Sequence, residues 1–358
     1  PAALPVRWAN GVRAYSTQRA CWMTADKIYR YMLTVPSGLE EVALDELREM
    51  AVHLDRVNVE PGGRFGQIFF TYRRSPLPLL DLHSASHLAG LICEMHRVTV
   101  GQPGLKSICE RVERIDLAAV QSLARAQPGE VDTGAFALSV TLQGRYRFSN
   151  AELRHAVREI LREKHGLREG SGSRLLRFHL QITGHRALLV LRLGEGNTGS
   201  RAVAYCLCRL LAMQSDARVL WARRDSDELS AIDELFRPRL LLGLLPEQRH
   251  GAKIQIGVVA IRGQLPLKAG LIDYVLGFAA GDPISELAEL ARILRFGGVV
   301  IMQVEHFGRY IGLMEEMDFP FVVLAVLGLQ EQGRKYRLLI LERLGEIDPE
   351  LLQVGWDV

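Results

Sequence analysis

Residues 291–302, ARILRFGGVVIM, read as the close of a helix, a tight glycine turn and a buried strand. Working outward, strands alternate with helices from about Arg201 onward, the signature of a doubly wound parallel sheet. The spacing predicts a helix over Val203–Met213, a strand over Ala217–Trp221 and a helix around Glu228–Phe236 that Pro238 stops. Strands follow at Leu240–Leu245, Ile254–Ala260 and Ile272–Phe278, then a helix at Pro283–Leu294 that enters the quoted stretch. A helix over Tyr310–Met317 and a hairpin of Phe321–Leu327 with Tyr336–Glu342, turned around Gly333, close the pattern.

A chain of 358 residues suits about two or three domains. Its 48% hydrophobic and 24% charged residues are those of a globular α/β protein. The longest apolar candidate, Phe319 to Leu329, is too short to span a bilayer and is followed by charge, so no membrane partner is expected. Five scattered cysteines (Cys21, Cys93, Cys109, Cys206, Cys208) argue against a disulfide framework and fit a reducing cytoplasmic location. Cys206 and Cys208 lack a second ligand pair, so they read as packed helix residues and no metal site is expected. Arg7, Arg13 and Arg19 give the start a faint likeness to a targeting presequence, but Met23-Thr-Ala-Asp-Lys reads better as a natural start. Residues 1–28 are therefore expected to be a flexible extension, and residues 346–358 a tail.

Net charge is +3, but it is uneven: between Val140 and Arg192 eleven Lys/Arg stand against four Glu. Upstream, Tyr29–Val35 predicts a strand, and Ser37 with Glu40 a capping box that opens a helix with Leu39, Val42, Ala43, Leu47 and Met50 on one face. Gln67–Tyr72 predicts a second strand and Leu79–Leu91 a second helix. Phe136–Leu142 is a further strand, after which Ser149 and Glu152 form another capping box. The helix that follows carries a core stripe of Leu153, Ala156, Val157, Ile160 and Leu161, and Arg154, Arg158 and Arg162 run along another face. Strands Leu175–Thr183 and Ala187–Leu193 turn at Gly184. A row of charges is ordinarily a solvated helix face, and Glu159 and Glu163 are within reach of it; but Lys and Arg beside a helix start are also what phosphates require.

VPSGLEEVALDEL (35–47), GQIFFTY (66–72) and FALSVTLQGRYRFSNAELRHAVREIL (136–161) together resemble the THUMP module of tRNA-modifying enzymes, preceded by its ferredoxin-like domain. The resemblance implies a ferredoxin-like domain over 29–100 and a THUMP domain over 101–195. It also implies that Arg145, Arg147, Arg154, Arg158, Arg162 and Lys164 face RNA, the acceptor end of tRNA in that family. Where relatives often carry a basic helix this chain has LHSASHLAGLI (82–92), with only His83 and His87 to contribute.

The second half resembles the Rossmann-like sheet of class I S-adenosylmethionine methyltransferases over 200–345: ARILRFGG matches their ARVLRPGG segment, AYCLCRLLAMQSDARVL (204–220) their first helix and strand, and GQLPLKAGLIDYVL (263–276) the approach to their fourth strand. The chemistry-bearing positions depart from that family. The first strand should run into a glycine loop where backbone amides meet the donor. Here it runs into Trp221-Ala222-Arg223-Arg224-Asp225-Ser226-Asp227-Glu228, with no glycine. A carboxylate for the ribose hydroxyls is missing at Leu242-Gly243-Leu244-Leu245-Pro246, and Val259-Ala260-Ile261-Arg262 has none for the adenine. The catalytic N-P-P-Y type loop reads Leu276-Gly277-Phe278-Ala279-Ala280-Gly281-Asp282, where Phe278 and Asp282 are the nearest stand-ins for a stacking ring and an acceptor. Trp221, Ala222, Gly243, Ile261 and Gly277 mark a vestigial pocket, into which Trp221 is expected to intrude and which Asp225 or Glu228 would have to rebuild.

The expected function is RNA binding by the first half, with a methyltransferase-like second half that holds no cofactor and serves as scaffold or as the surface for a partner protein or second copy. The alternative is an active tRNA methyltransferase, using S-adenosylmethionine on the exocyclic amino group of guanine. A third reading makes the basic face a contact for another polyanion.

Overall fold

The computed structural model describes residues 29–51, 53–62, 65–172, 174–194, 197, 199–222, 226–244, 256–258, 265–278, 282–331 and 334–345. The expectations for residues 1–28, 223–225, 245–246, 259–262 with Ile261, 279–281, Gly333 and 346–358, and for the side chain of Phe278, lie outside these.

The first half builds one mixed eight-stranded sheet. In chain order it contains β1 (Tyr29–Pro36), α1 (Glu40–Met50), β2 (Asp55–Glu60), β3 (Phe65–Tyr72) and β4 (His87–Met95). Helices α2 (Gln102–Glu113) and α3 (Leu117–Arg125), β5 (Asp132–Gln143), α4 (Asn150–Glu163), β6 (Arg168–Glu169), β7 (Leu175–Thr183) and β8 (Arg186–Leu193) complete it. The strands lie in the order β2-β3-β1-β4-β8-β7-β5-β6. Alternation divides their side chains. Tyr31, Leu33, Phe136, Leu176, Phe178, Leu180 and Leu191 face a core covered by all four helices. Met32, Phe69, Ala89, Leu188 and Val190 form a small apolar patch on the other face.

The structure corrects two readings here. The helix expected over Leu79–Leu91 is a short 3₁₀ turn at Leu77–Asp81 followed by strand β4. Leu88, Leu91 and Ile92 imitate a helical repeat, but β4 is a central strand paired to β1 and β8, and apolar residues on both faces of such a strand erase its alternation. The Ser37–Glu40 capping box is not made: Leu39 is the cap of α1, Gly38 N–H rather than Ser37 N–H donates to the Glu40 carboxylate at 2.8 Å, and the Ser37 hydroxyl donates to the Gly62 carbonyl at 2.6 Å. The second box is complete, with Ser149 Oγ accepting from Glu152 N–H and Glu152 accepting from Ser149 N–H.

The second half contains α5 (Gly199–Leu210), β9 (Arg218–Trp221), α6 (Ser226–Phe236), β10 (Leu240–Leu244), β11 (Ile256–Val258), β12 (Ile272–Phe278) and α7 (Pro283–Ile293). β13 (Leu294–Val304), α8 (Phe307–Glu316), β14 (Phe321–Glu331) and β15 (Arg334–Arg343) follow. Its sheet runs β11-β10-β9-β12-β13-β15-β14, parallel except where β15 pairs antiparallel to β13 and β14. Helices α5 and α6 cover one face, and α7 and α8 the other. In the stretch that opened the sequence reading, β13 leaves α7 directly and bulges: Leu294 pairs with Ile272, but the next partner pair is Val299 with Tyr274. Gly297 takes a left-handed φ of 70° in that bulge.

The halves meet where Leu39 and Val42 pack into the cluster of α5 and the terminal hairpin. Gly38, at φ 92°, lies against the Gly328 carbonyl, where a Cβ would collide. Among the described residues no helix is long and apolar enough to cross a membrane.

Candidate nucleic-acid interface and methyltransferase-like edge

Helix α4 starts at its Ser149 cap immediately after the loop that carries Arg145 and Arg147, and its buried stripe of Leu153, Val157 and Leu161 fixes which face turns outward. Arg145, Arg147, Arg154, Arg162 and Lys164 are exposed, and Arg158 is half-buried. Two of these cations are spent inside the protein: Arg158 pairs with Glu169 at 3.0 Å and Arg162 with Glu159 at 3.1 Å. Arg145, Arg147, Arg154 and Lys164 form no ion pair with any other described residue. His83 is not on this surface; its ring lies 5.3 Å from that of Tyr205 at the junction of the halves.

At the other end of the chain the structure places the expected pocket residues as follows. Trp221 ends β9 with its side chain fully buried in the core beneath α5 and α6. It therefore does not intrude into a cleft, as its sequence position suggested. The indole Nε1–H donates to the buried Glu228 carboxylate on α6 at 3.1 Å. Ala222 N–H continues the ladder to the Leu276 carbonyl at 2.8 Å, and Gly243 lies opposite Trp221 on β10. Gly277 has φ 76° at an irregularity where β12 leaves register with β13. Asp282 caps α7, accepting from Ser285 N–H and Oγ, both at 2.9 Å. Those bonds, the backbone one foremost, hold its carboxyl below the ordinary aspartate range. The described ends of β9 and β10 thus present a core indole, an acid engaged by that indole, and apolar backbone. The turns that would meet S-adenosylmethionine, at 223–225 and 245–255, lie outside the described residues.

Other polar groups in this half are also internally engaged. Buried Asp273 on β12 accepts from Arg218 N–H at 2.7 Å, from its Nε and Nη2 at 3.1 Å each, and pairs with Arg295 at 2.7 Å. Burial alone would raise its pKa; the Arg218 bonds and the Arg295 charge outweigh that and leave it lowered. Glu289 holds Arg292 and accepts from Leu265 N–H, while Tyr310 donates to Glu286 at 2.8 Å.

The seven-stranded order with an antiparallel terminal hairpin defines the fold of class I methyltransferases. Solved structures agree. TrmN from Thermus thermophilus superposes with a TM-score of 0.65 at 17% identity, covering 88% of this chain and 100% of that one. SMU.472 in its complex with SAH gives 0.59 at 10%, covering 90% and 100%. A possible methylase from Clostridium difficile 630 gives 0.56 at 12%, with the same coverage. No family model and no curated protein matches the sequence.

Of a second group of polar residues, on the first sheet, sequence reasoning singled out only His87, as a residue of an expected helix. His87, His179 and Arg192 line a cavity of about 710 Å³ on the face that no helix covers. Their positions, 92 and 13 residues apart along the chain, share no motif; strand pairing alone assembles them.

Proposed function

We propose that this protein binds RNA, with the acceptor end of tRNA as its target, through a THUMP-type module whose contact surface is the loop before α4 and the exposed side of that helix. The second half acts as a scaffold of methyltransferase fold that performs no methyl transfer. The observation that carries the reading is the group of Arg145, Arg147, Arg154 and Lys164, exposed at a capped helix start and with no ion pair to another described residue. Charges left over after internal pairing are those that can release counterions from a phosphate backbone. The engagement of Trp221 with Glu228 supports the scaffold role. A cytoplasmic setting suits the four described cysteines, all free thiols.

The test is tRNA affinity against salt. Arg145→Ala with Arg154→Ala is expected to weaken binding and to flatten the slope of log K against log salt by about 1.4 to 1.8, for two lost phosphate contacts. An unchanged slope would remove this surface from RNA recognition. Calorimetry with S-adenosylmethionine, with and without tRNA, tests the second half. No heat is expected, whereas a micromolar Kd, about −8 kcal/mol, would restore the alternative of an active tRNA guanosine methyltransferase.

A further inference from the structure

The uncovered face of the first sheet is curled into a trough. β3 and β7 are separated by β1, β4 and β8, about 19 Å across a flat sheet at roughly 4.8 Å per strand. Two glutamine side chains cannot span that distance, yet Gln67 of β3 donates to Gln181 of β7 at 3.1 Å. Glu60 of β2 and Arg186 of β8 are likewise joined across the sheet. These bridges bring the sheet's sides together over the cavity, whose floor is the apolar patch of Met32, Ala89, Leu188 and Val190.

Charge is uneven within the trough. Glu60, the one carboxylate among its described lining residues, is consumed by Arg186. The other end gathers His87, His179 and Arg192, with Arg177 beside them on β7. Burial first, then Arg192 and His87, push His179 down to about 4, and burial with Arg192 and Arg177 lowers His87. His179 Nδ1 is 2.8 Å from Ser139 Oγ. Ser86, next to His87 and buried, has a hydroxyl with no partner among the described residues. A positive, half-desolvated end paired with no described carboxylate calls for an anion; an apolar floor flanked by Gln and Thr side chains calls for a flat polar ring; and the volume is that of a small-molecule site.

We infer that the trough binds a nucleotide, its phosphate at Arg192 and Arg177 and its base over the Met32–Leu188–Val190 floor. This site lies on the opposite face of the sheet from α4 and does not depend on the RNA-binding reading above. The ligand is either a free nucleotide or the terminal nucleotide of a strand, and the two share this chemistry.

The experiment titrates guanosine monophosphate and a short 5′-phosphorylated single-stranded RNA into the full-length chain by calorimetry. Saturable binding is expected that falls about tenfold or more in Arg192→Gln, the loss of one charge-assisted contact, and also falls in Thr141→Trp, which fills the trough from β5. Arg145→Ala with Arg154→Ala should leave the binding of guanosine monophosphate unchanged. Equal affinities for the two probes mark a free nucleotide as the occupant; a strand at least about tenfold tighter, with both probes weakened by Arg192→Gln, marks a strand end. The inference is overturned if neither probe binds at millimolar concentration, or if binding survives either substitution in a variant whose melting shows it folded.

Discussion

The two sheets differ in how they spend their polar groups. The second is covered on both faces, and its buried charges are locked in internal pairs, as Asp273 is with Arg218 and Arg295 and Glu289 with Arg292. The first is covered on one face; on its other face Arg186 is paired with Glu60 and Glu94, while Arg177, Arg192, His87 and His179 form no ion pair with a described carboxylate. Ionisable residues in the second sheet are therefore read as structural, and those on the first as groups with work outside the fold.

The contrast can be broken most directly at Trp221. If the indole is core, Trp221→Ala should cost about 3–5 kcal/mol in urea unfolding; a cost near zero would mean that the side chain belongs to a pocket. Next in size, Asp273→Ala should cost about 2–3 kcal/mol, less than a fully buried broken pair because both arginines reach solvent. The folded pKa of Asp273 is depressed, so its contribution is present above the ordinary aspartate value of 3.8 and is lost as pH falls below it. Wild type should therefore lose this stability in acid, and Asp273→Ala should lack that part of the acid dependence.

On the first sheet the sign is the same but the window is higher. His179 is held neutral down to about 4 against an ordinary 6.5, so the unfolded chain takes up a proton that the folded one refuses. Stability should decline as pH falls from 6.5 toward 4, and His179→Gln should flatten that decline in pH-dependent melts. The smallest effect sharpens the helix placement: Ser149→Ala removes the α4 cap and should cost about 1 kcal/mol.

Much of the second half was legible because its strands are short apolar runs separated by amphipathic helices; Ile272–Phe278 lies where the periodicity puts it. β2, α2 and α3 were not foreseen. Asp55–Glu60 carries four exposed residues on an edge strand, which leaves almost no hydrophobic pattern to read. The α4 cations were legible as a local charge excess, whereas their division into paired and unpaired depended on where Glu169 fell after the turn at Gly166. The trough was hidden for a different reason: its histidines come from strands distant in sequence, and each alone reads as a satisfied structural residue.

The pairing of β4 with β8 has a consequence for the order of synthesis. Residues 87–95 leave the ribosome long before 186–193, so β4 has β1 on one side and an open, largely apolar edge on the other while about ninety further residues are made. During that interval the nascent chain exposes a strand that can template pairing with another chain. A chain ended before residue 186 should therefore aggregate, and expression of the whole protein should depend on chaperones that shield that edge.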